Sequence, residues 1–102
     1  MAQFATANKR LQHFGNHGVE FGASDEFHYE RMADAFITGP KQHNTLECKR
    51  PRENDIIRYN FMSNEFGVLS YDGYIRTYFK PDPLGHHLPR NLDYYLVNSV
   101  QI

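Results

Sequence analysis

Hydrophobic and polar residues alternate most clearly between Glu65 and Pro81, where they predict two β-strands joined by a tight turn. The turn is Asp72-Gly73, which is typical of a hairpin because glycine adopts a positive φ without a Cβ clash. Alternate residues of a regular strand share a face. One face of the returning strand would then carry Ile75, Thr77 and Phe79, and the other would carry Tyr74, Arg76, Tyr78 and Lys80. This pattern fits a binding surface and also fits a half-buried strand with satisfied polar atoms.

Apolar residues recur at helical spacing in two earlier segments. The first predicted helix runs from Ala2 to about Asn16, and its two nearby glycines suggest that it ends near His17. The second begins with Ser24 as N-cap and runs to about Thr38. Gly39-Pro40 should end it, with Gly39 in the left-handed C′ position.

Two further strands are predicted at Thr45–Arg50 and Asp55–Phe61, ahead of the hairpin. Short loops between successive strands indicate antiparallel neighbours. The fold class is therefore α+β, with two N-terminal helices packed on a roughly four-stranded antiparallel sheet. Asn91–Val97 is apolar enough to form either a short strand or a helical turn, and the pattern does not decide between them. The 102 residues predict a single domain.

Composition narrows the possible functions only modestly. The net charge of −1 does not indicate a strongly basic nucleic-acid binder, although residues 20–35 are acidic and residues 41–58 lean positive. That segregation fits one basic face or two ordinary solvated surfaces. The single cysteine, Cys48, excludes an internal disulfide and is expected to be an inert, half-buried thiol. Neither a membrane-spanning run nor a signal-peptide pattern is found, so we expect a protein that stays inside the cell or travels within a larger chain.

The candidate chemistry centres on histidine rather than on a metal. His13 and His17 have helical metal-pair spacing, but two imidazoles are too few and no standard zinc motif occurs. His17 can instead move protons, because histidine titrates near neutrality. Arg76 and Lys80 can stabilise extra phosphate charge, and Thr77 can donate a hydrogen bond to a phosphate oxygen. Phe79 can stack on an unpaired base. RNA supplies its own 2′-hydroxyl nucleophile, so such a site needs no metal or cofactor.

A series of short motifs in a fixed order extends this hypothesis. They comprise His13-Phe14, His17-Gly18-x-x-Phe21-Gly22, Tyr29-x-x-x-Ala33-x-x-Phe36, Arg58-Tyr59, Asn64-Glu65-Phe66-Gly67-Val68 and Asp72-Gly73-x-Ile75-Arg76-Thr77-Tyr78-Phe79-Lys80-Pro81. Their order and spacing resemble the C-terminal toxin domains of bacterial polymorphic and contact-dependent inhibition systems. More distantly they resemble colicin D-like nuclease domains of the Barnase–EndoU–colicin–RelE group of metal-independent ribonucleases. The resemblance spans about residues 11–95.

The resemblance implies roles for individual residues. The catalytic histidine of colicin D-like domains precedes Asp-Phe-Gly, and His17 here precedes Glu20-Phe21-Gly22 in the same register. The family's hairpin serine, tryptophan and lysine correspond to Thr77, Phe79 and Lys80. His13 and Arg76 are further catalytic candidates, and Arg58 and Tyr78 are substrate-binding candidates. The family usually has a lysine before the catalytic histidine, where this sequence has Asn16.

The resemblance also implies a biological setting. A toxin of this class would cut tRNA in a single-stranded region such as the anticodon loop, leaving a 2′,3′-cyclic phosphate. It would act as a monomer in the cytoplasm of a target bacterium, after delivery as the C-terminal part of a larger secreted protein. A cognate acidic immunity protein would block it in the producing cell. The alternatives are a non-catalytic binding module on the same fold, which Asn16 favours, and a zinc site formed by the histidines.

Overall fold

The computed structural model describes residues 1–99, which form four α-helices packed on a five-stranded sheet. The strands are β1 (Gln3–Phe4), β2 (Thr45–Arg50), β3 (Asp55–Asn60), β4 (Glu65–Ser70) and β5 (Tyr74–Phe79). The helices are α1 (Ala7–His17), α2 (Glu26–Thr38), α3 (Pro83–His86) and α4 (Asn91–Ser99), and a 3-10 turn covers Gly18–Phe21. The strand order is β1-β5-β4-β3-β2, antiparallel except for the parallel β1–β5 pair. The α+β prediction is confirmed, with one more strand than predicted.

Helices α1 and α2 cover one face of the sheet, called here the helix face. Tyr29 is fully buried at the centre of this core and donates its hydroxyl hydrogen to the backbone carbonyl of Tyr78. Gly67 lets α2 approach β4 closely, because a Cβ there would lie 2.6 Å from Cγ1 of Ile37. Arg10 of α1 pairs with Glu26 of α2 at 2.9 Å and so joins the two helices.

The opposite face, called here the open face, carries a second apolar cluster. Ile57, Tyr59, Phe66, Val68 and Tyr95 form its buried centre. Tyr95 belongs to α4, which packs on this face. The segment Asn91–Val97, for which the sequence allowed either a strand or a helical turn, is therefore helical. Burial there raises the pKa of Tyr95 to about 12. Helix α4 therefore joins the strands in forming the surface around the end of β5.

A β-bulge in β5 changes which residues share a face. Val68 pairs with Thr77 while the adjacent Leu69 pairs with Ile75, so Arg76 is an extra residue in the ladder. Ile75 consequently joins Tyr78 in the core on the helix face, whereas Thr77 opposes Val68 on the open face. The prediction that Ile75 shares a face with Thr77 was wrong for this reason.

Two helix starts also differ from prediction. Residues 3–4 form β1 instead of the first helical turn, because the Phe4 N–H donates to the Glu30 carboxylate at 3.0 Å. Thr6 then caps α1 by accepting a hydrogen bond from the Lys9 N–H at 3.1 Å. Asp25, rather than Ser24, caps α2 through the His28 N–H at 2.8 Å.

The end of α2 differs in its backbone geometry. Gly39 is extended, with φ −74° and ψ 177°, so its predicted left-handed conformation was wrong. The hairpin turn is as expected, with Gly73 at φ 89°. The strands of the hairpin, 65–70 and 74–79, match their predicted ranges within one residue.

Candidate active site

His17 occupies the C-terminal end of α1, where the backbone changes direction. A Cβ on Gly18 would lie 2.5 Å from the Phe14 ring, so the helix packs closely at the point where it ends. The 3-10 turn and the left-handed Gly22 (φ 65°) then fold the chain back. This turn brings Glu20 beside the imidazole, and the Nδ1–H of His17 donates to Oε2 of Glu20 at 2.8 Å.

Glu20 links this turn to the end of β5. Its other carboxylate oxygen, Oε1, accepts a hydrogen bond from the backbone N–H of Lys80 at 2.7 Å. The carboxylate therefore fixes the orientation of the His17 ring and leaves Nε2 as the nitrogen for proton transfer. Both side chains are about a quarter exposed (27% and 28%), so substrate can reach them from solvent.

An open cleft of about 410 Å³ lies against this pair. Eight residues line it, from the end of α1, the 3-10 turn, the end of β5 and the residues that follow β5: His17, Glu20, Phe79, Lys80, Asp82, Gly85, His86 and Tyr94. The volume falls within the range of about 300–1,000 Å³ that is usual for small-molecule sites. The cleft therefore combines a histidine–carboxylate pair, one lysine and several aromatic rings.

Three of the predicted site residues meet in this cleft. The rings of His17 and Phe79 lie 5.4 Å apart between centroids. Lys80 Nζ lies 5.4 Å from the centroid of the Phe21 ring, a cation–π arrangement that keeps the ammonium group near the cleft. The structure thus brings His17, Phe79 and Lys80 together in one cleft.

Thr77 and Arg76 lie further along β5 and do not line the cleft. The bulge places Thr77 on the open face, the same side as Phe79. Arg76 is half exposed and its Nη1 lies 3.7 Å from Oδ2 of Asp55 at the start of β3. Asp55 is bound by Arg50, and Arg50 donates to a backbone carbonyl of α4, the helix on the open face. Because Arg76 approaches Asp55, its guanidinium group also lies on the open face. The bulge therefore turns both residues toward one face, which a regular strand would not allow.

His13 lies next to the cleft but has a different environment. Its ring stacks on Phe4 at 5.0 Å and lies 6.3 Å from the His17 ring. Burial lowers the pKa of His13, and the nearby His17 and Lys9 lower it further. A neutral ring packed on the core is poorly suited to replace the cation missing at Asn16.

Arg58 and Tyr78 are directed away from the cleft. Arg58 donates to the carbonyl oxygens of Phe36 and Gly39 at 3.1 and 2.6 Å and pairs with Glu47, so it secures the end of α2. Tyr78 is 1% exposed in the helix-face core, where burial raises the pKa of its hydroxyl. The structure does not bring these two predicted substrate-binding residues to the site.

Apart from Gly85, which has no side chain, four cleft residues were not among the predicted site residues. Glu20 had a local signal, because a His-x-x-Glu spacing at a helix end places the two side chains together. Asp82, His86 and Tyr94 had none, since they come from the segment that the pattern left unassigned.

Neither a metal site nor a membrane span is found in residues 1–99. No group of three potential metal ligands converges among them. None of their helices has the length and apolar character needed to cross a bilayer.

The fold of this chain is similar to that of a solved structure. The solved structure of a ribonuclease from Escherichia coli, complexed with its inhibitor protein, is similar with a TM-score of 0.57. The match covers 91% of this chain and 99% of that chain, at 16% sequence identity. Neither a protein-family model nor a curated protein matches the sequence. The chain therefore has a ribonuclease-like α+β fold.

Proposed function

We propose that this protein is a metal-independent endoribonuclease of the bacterial toxin class. The observation that carries the proposal is the His17–Glu20 pair, held by the backbone of Lys80 in a cleft with an aromatic wall. A ribonuclease-like fold supports it. The pair joins a proton-transfer group to a carboxylate that orients it, which is the usual arrangement for general acid–base catalysis.

The reaction follows from these groups. His17 Nε2 removes the proton from an RNA 2′-hydroxyl, and the oxygen attacks the adjacent phosphorus. The phosphorus–O5′ bond breaks, the O5′ takes a proton from water, and a 2′,3′-cyclic phosphate remains. Lys80 stabilises the charge that develops on the phosphate oxygens, and Glu20 stabilises the imidazolium. Arg76 and Thr77 lie together on the open face, where they contact RNA nucleotides outside the cleft.

The proposed substrate is tRNA, cut in a single-stranded loop such as the anticodon loop. Phe79 in the cleft can stack only on a base that is already unpaired, which favours loops over helical stems. The sequence resemblance supports a toxin delivered within a larger secreted protein and acting in the cytoplasm of a target bacterium. We propose that it acts there as a monomer.

Cleavage should persist when divalent ions are removed. Purified protein incubated with total tRNA in EDTA should yield fragments with 2′,3′-cyclic phosphate ends at an undiminished rate, because protein groups alone drive the attack. The ends are mapped by sequencing before and after treatment with a cyclic phosphatase. A strict requirement for an added divalent ion would overturn the metal-independent mechanism.

A non-catalytic binding module is the second candidate, and Asn16 favours it. This residue is exposed near the end of α1, where the resembling toxins carry a lysine. The same assay separates the two functions, since a binding module would bind tRNA without producing fragments.

We also propose a cognate acidic immunity protein that covers the open face near Thr77 or the rim of the cleft. An acidic surface would mimic phosphate and associate rapidly through electrostatic steering, so its affinity should fall as salt rises. The acidic residues Glu26–Asp34 of α2 should lie outside the contact. Hydrogen exchange on the complex tests this, and protection centred on Glu26–Asp34 with residues 77–80 open would contradict it. Lys80→Ala should slow association, whereas the exposed Lys41→Ala serves as the matched control.

A further inference from the structure

We propose that His86 and Tyr94, together with Phe79, form a binding subsite for one unpaired nucleobase beside the reacting phosphate. This inference rests on the proposed function and deepens it, because it states how the cleft holds its substrate. Neither His86 nor Tyr94 was predicted from the sequence to have a role.

Four aromatic rings form a continuous row along the cleft. The His17 and Phe79 rings are 5.4 Å apart, the Phe79 and Tyr94 rings 5.9 Å, and the Tyr94 and His86 rings 5.0 Å. Tyr94 meets Phe79 edge-on at 81°, and it stacks with His86 at 25°. All four residues line the same 410 Å³ space. The row therefore runs from the proposed catalytic nitrogen to a flat aromatic surface.

The nitrogens of His86 are already used inside the protein. Nδ1 accepts a hydrogen bond from the Leu88 N–H at 3.1 Å, and the Nε2–H donates to Oδ1 of Asn91 at 2.9 Å. This pairing fixes the orientation of the ring and places the ring hydrogen on Nε2, because Nδ1 accepts from the Leu88 N–H. His86 therefore offers a planar ring of fixed orientation for stacking, and neither of its nitrogens is free for proton transfer.

The charges of the cleft orient the nucleotide. Glu20 joins His17 and Lys80 at one end of the row, because it accepts from the His17 ring and from the Lys80 N–H, and a phosphate would bind there. The Tyr94–His86 end supplies a flat aromatic surface. Stacking tolerates every base, because each has a π-face. A nucleotide therefore places its phosphate at His17 and its base against Tyr94 and His86.

Binding of adenosine 3′-monophosphate tests the subsite, with ribose 5-phosphate as the probe that lacks a base. His86→Ala should weaken binding of the nucleotide by about tenfold, within the range for loss of one stacking contact. It should leave ribose 5-phosphate unchanged. His86→Phe should restore nucleotide affinity, because phenylalanine keeps a planar aromatic ring for stacking but lacks the imidazole nitrogens. Affinities are measured by calorimetry, with each variant's fold checked by circular dichroism.

Tyr94→Leu should give a similar loss, and Tyr71→Leu should give none. Tyr71 is 79% exposed and lies in the turn at the far end of the hairpin. In cleavage of a short single-stranded RNA, His86→Ala should raise KM by the same factor and leave kcat within about twofold. A fall in kcat without a change in KM, or failure of His86→Phe to restore binding, would overturn the stacking role.

The two proposals fail in different ways. Cleavage that depends on His17, together with unchanged nucleotide binding in His86→Ala, would overturn the subsite and keep the ribonuclease. Wild-type protein that binds the nucleotide through His86 but cuts no RNA would overturn the ribonuclease and keep the subsite.

Discussion

Replacing His17 with alanine should slow RNA cleavage by about 10²- to 10⁴-fold, the range that one general acid–base group contributes. The fold should be retained, because the His17 side chain is partly exposed at a helix end and lies outside both buried clusters. The measurement is the single-turnover rate on tRNA at neutral pH, together with the unfolding midpoint. Toxicity on expression in bacteria should disappear in parallel.

His13→Ala is the matched comparison, since the two rings lie on one face of α1 only 6.3 Å apart. We expect a much smaller effect on the rate, because His13 packs on Phe4 and burial lowers its pKa. A larger loss in His13→Ala than in His17→Ala would transfer the catalytic role to His13. Glu20→Ala should fall between them, since the ring would lose its orienting carboxylate.

Replacing Asp55 with alanine should cost about 3–5 kcal/mol of folding free energy, the usual consequence of removing one partner of a buried ion pair. The Asp55 side chain is fully buried, and Arg50 binds both of its oxygens, at 2.7 and 2.8 Å. Arg76 approaches the same carboxylate at 3.7 Å. The substitution would leave the positive charge of Arg50, only 14% exposed, without its carboxylate.

Urea denaturation of purified protein measures this loss. Asp93→Ala is the control, because Asp93 also pairs with an arginine, Arg90, but does so at the surface. It should shift the midpoint far less. The double variant Asp55→Ala, Arg50→Ala should lose less than the sum of its two single variants, because the charges form one unit. An Asp55→Ala midpoint equal to that of wild type would contradict this account of the open face.

Local signals explain which parts of the fold could be predicted. Helix α2 and the β4–β5 hairpin carry their own stop signals, Gly39-Pro40 and Asp72-Gly73, and both were found close to their true bounds. The start of α1 was missed because Phe4 has helical spacing, yet its N–H binds Glu30, 26 residues away. No local pattern reports such a contact.

The same division applies to the site. His17 and Glu20 are three residues apart, and Phe79 and Lys80 are adjacent, so short motifs could mark them. Their meeting depends on a hydrogen bond between Glu20 and Lys80, which are 60 residues apart. His86 and Tyr94 enter the cleft only because α4 packs on the open face, a result of tertiary packing that an ambiguous apolar stretch does not reveal.

The bulge in β5 gives this strand one residue more than a regular ladder with β4 would need. Leu69 pairs with Ile75 and the adjacent Val68 pairs with Thr77, so Arg76 stands between two pairs that would be consecutive in a regular ladder. Deleting Arg76 would leave Ile75 and Tyr78 in the core and Thr77 and Phe79 on the open face. Deleting Tyr78 while the bulge is kept would instead turn Phe79 toward the helix face. Within β5, Arg76 is thus a position where the chain can shorten by one residue without moving Phe79 out of the cleft.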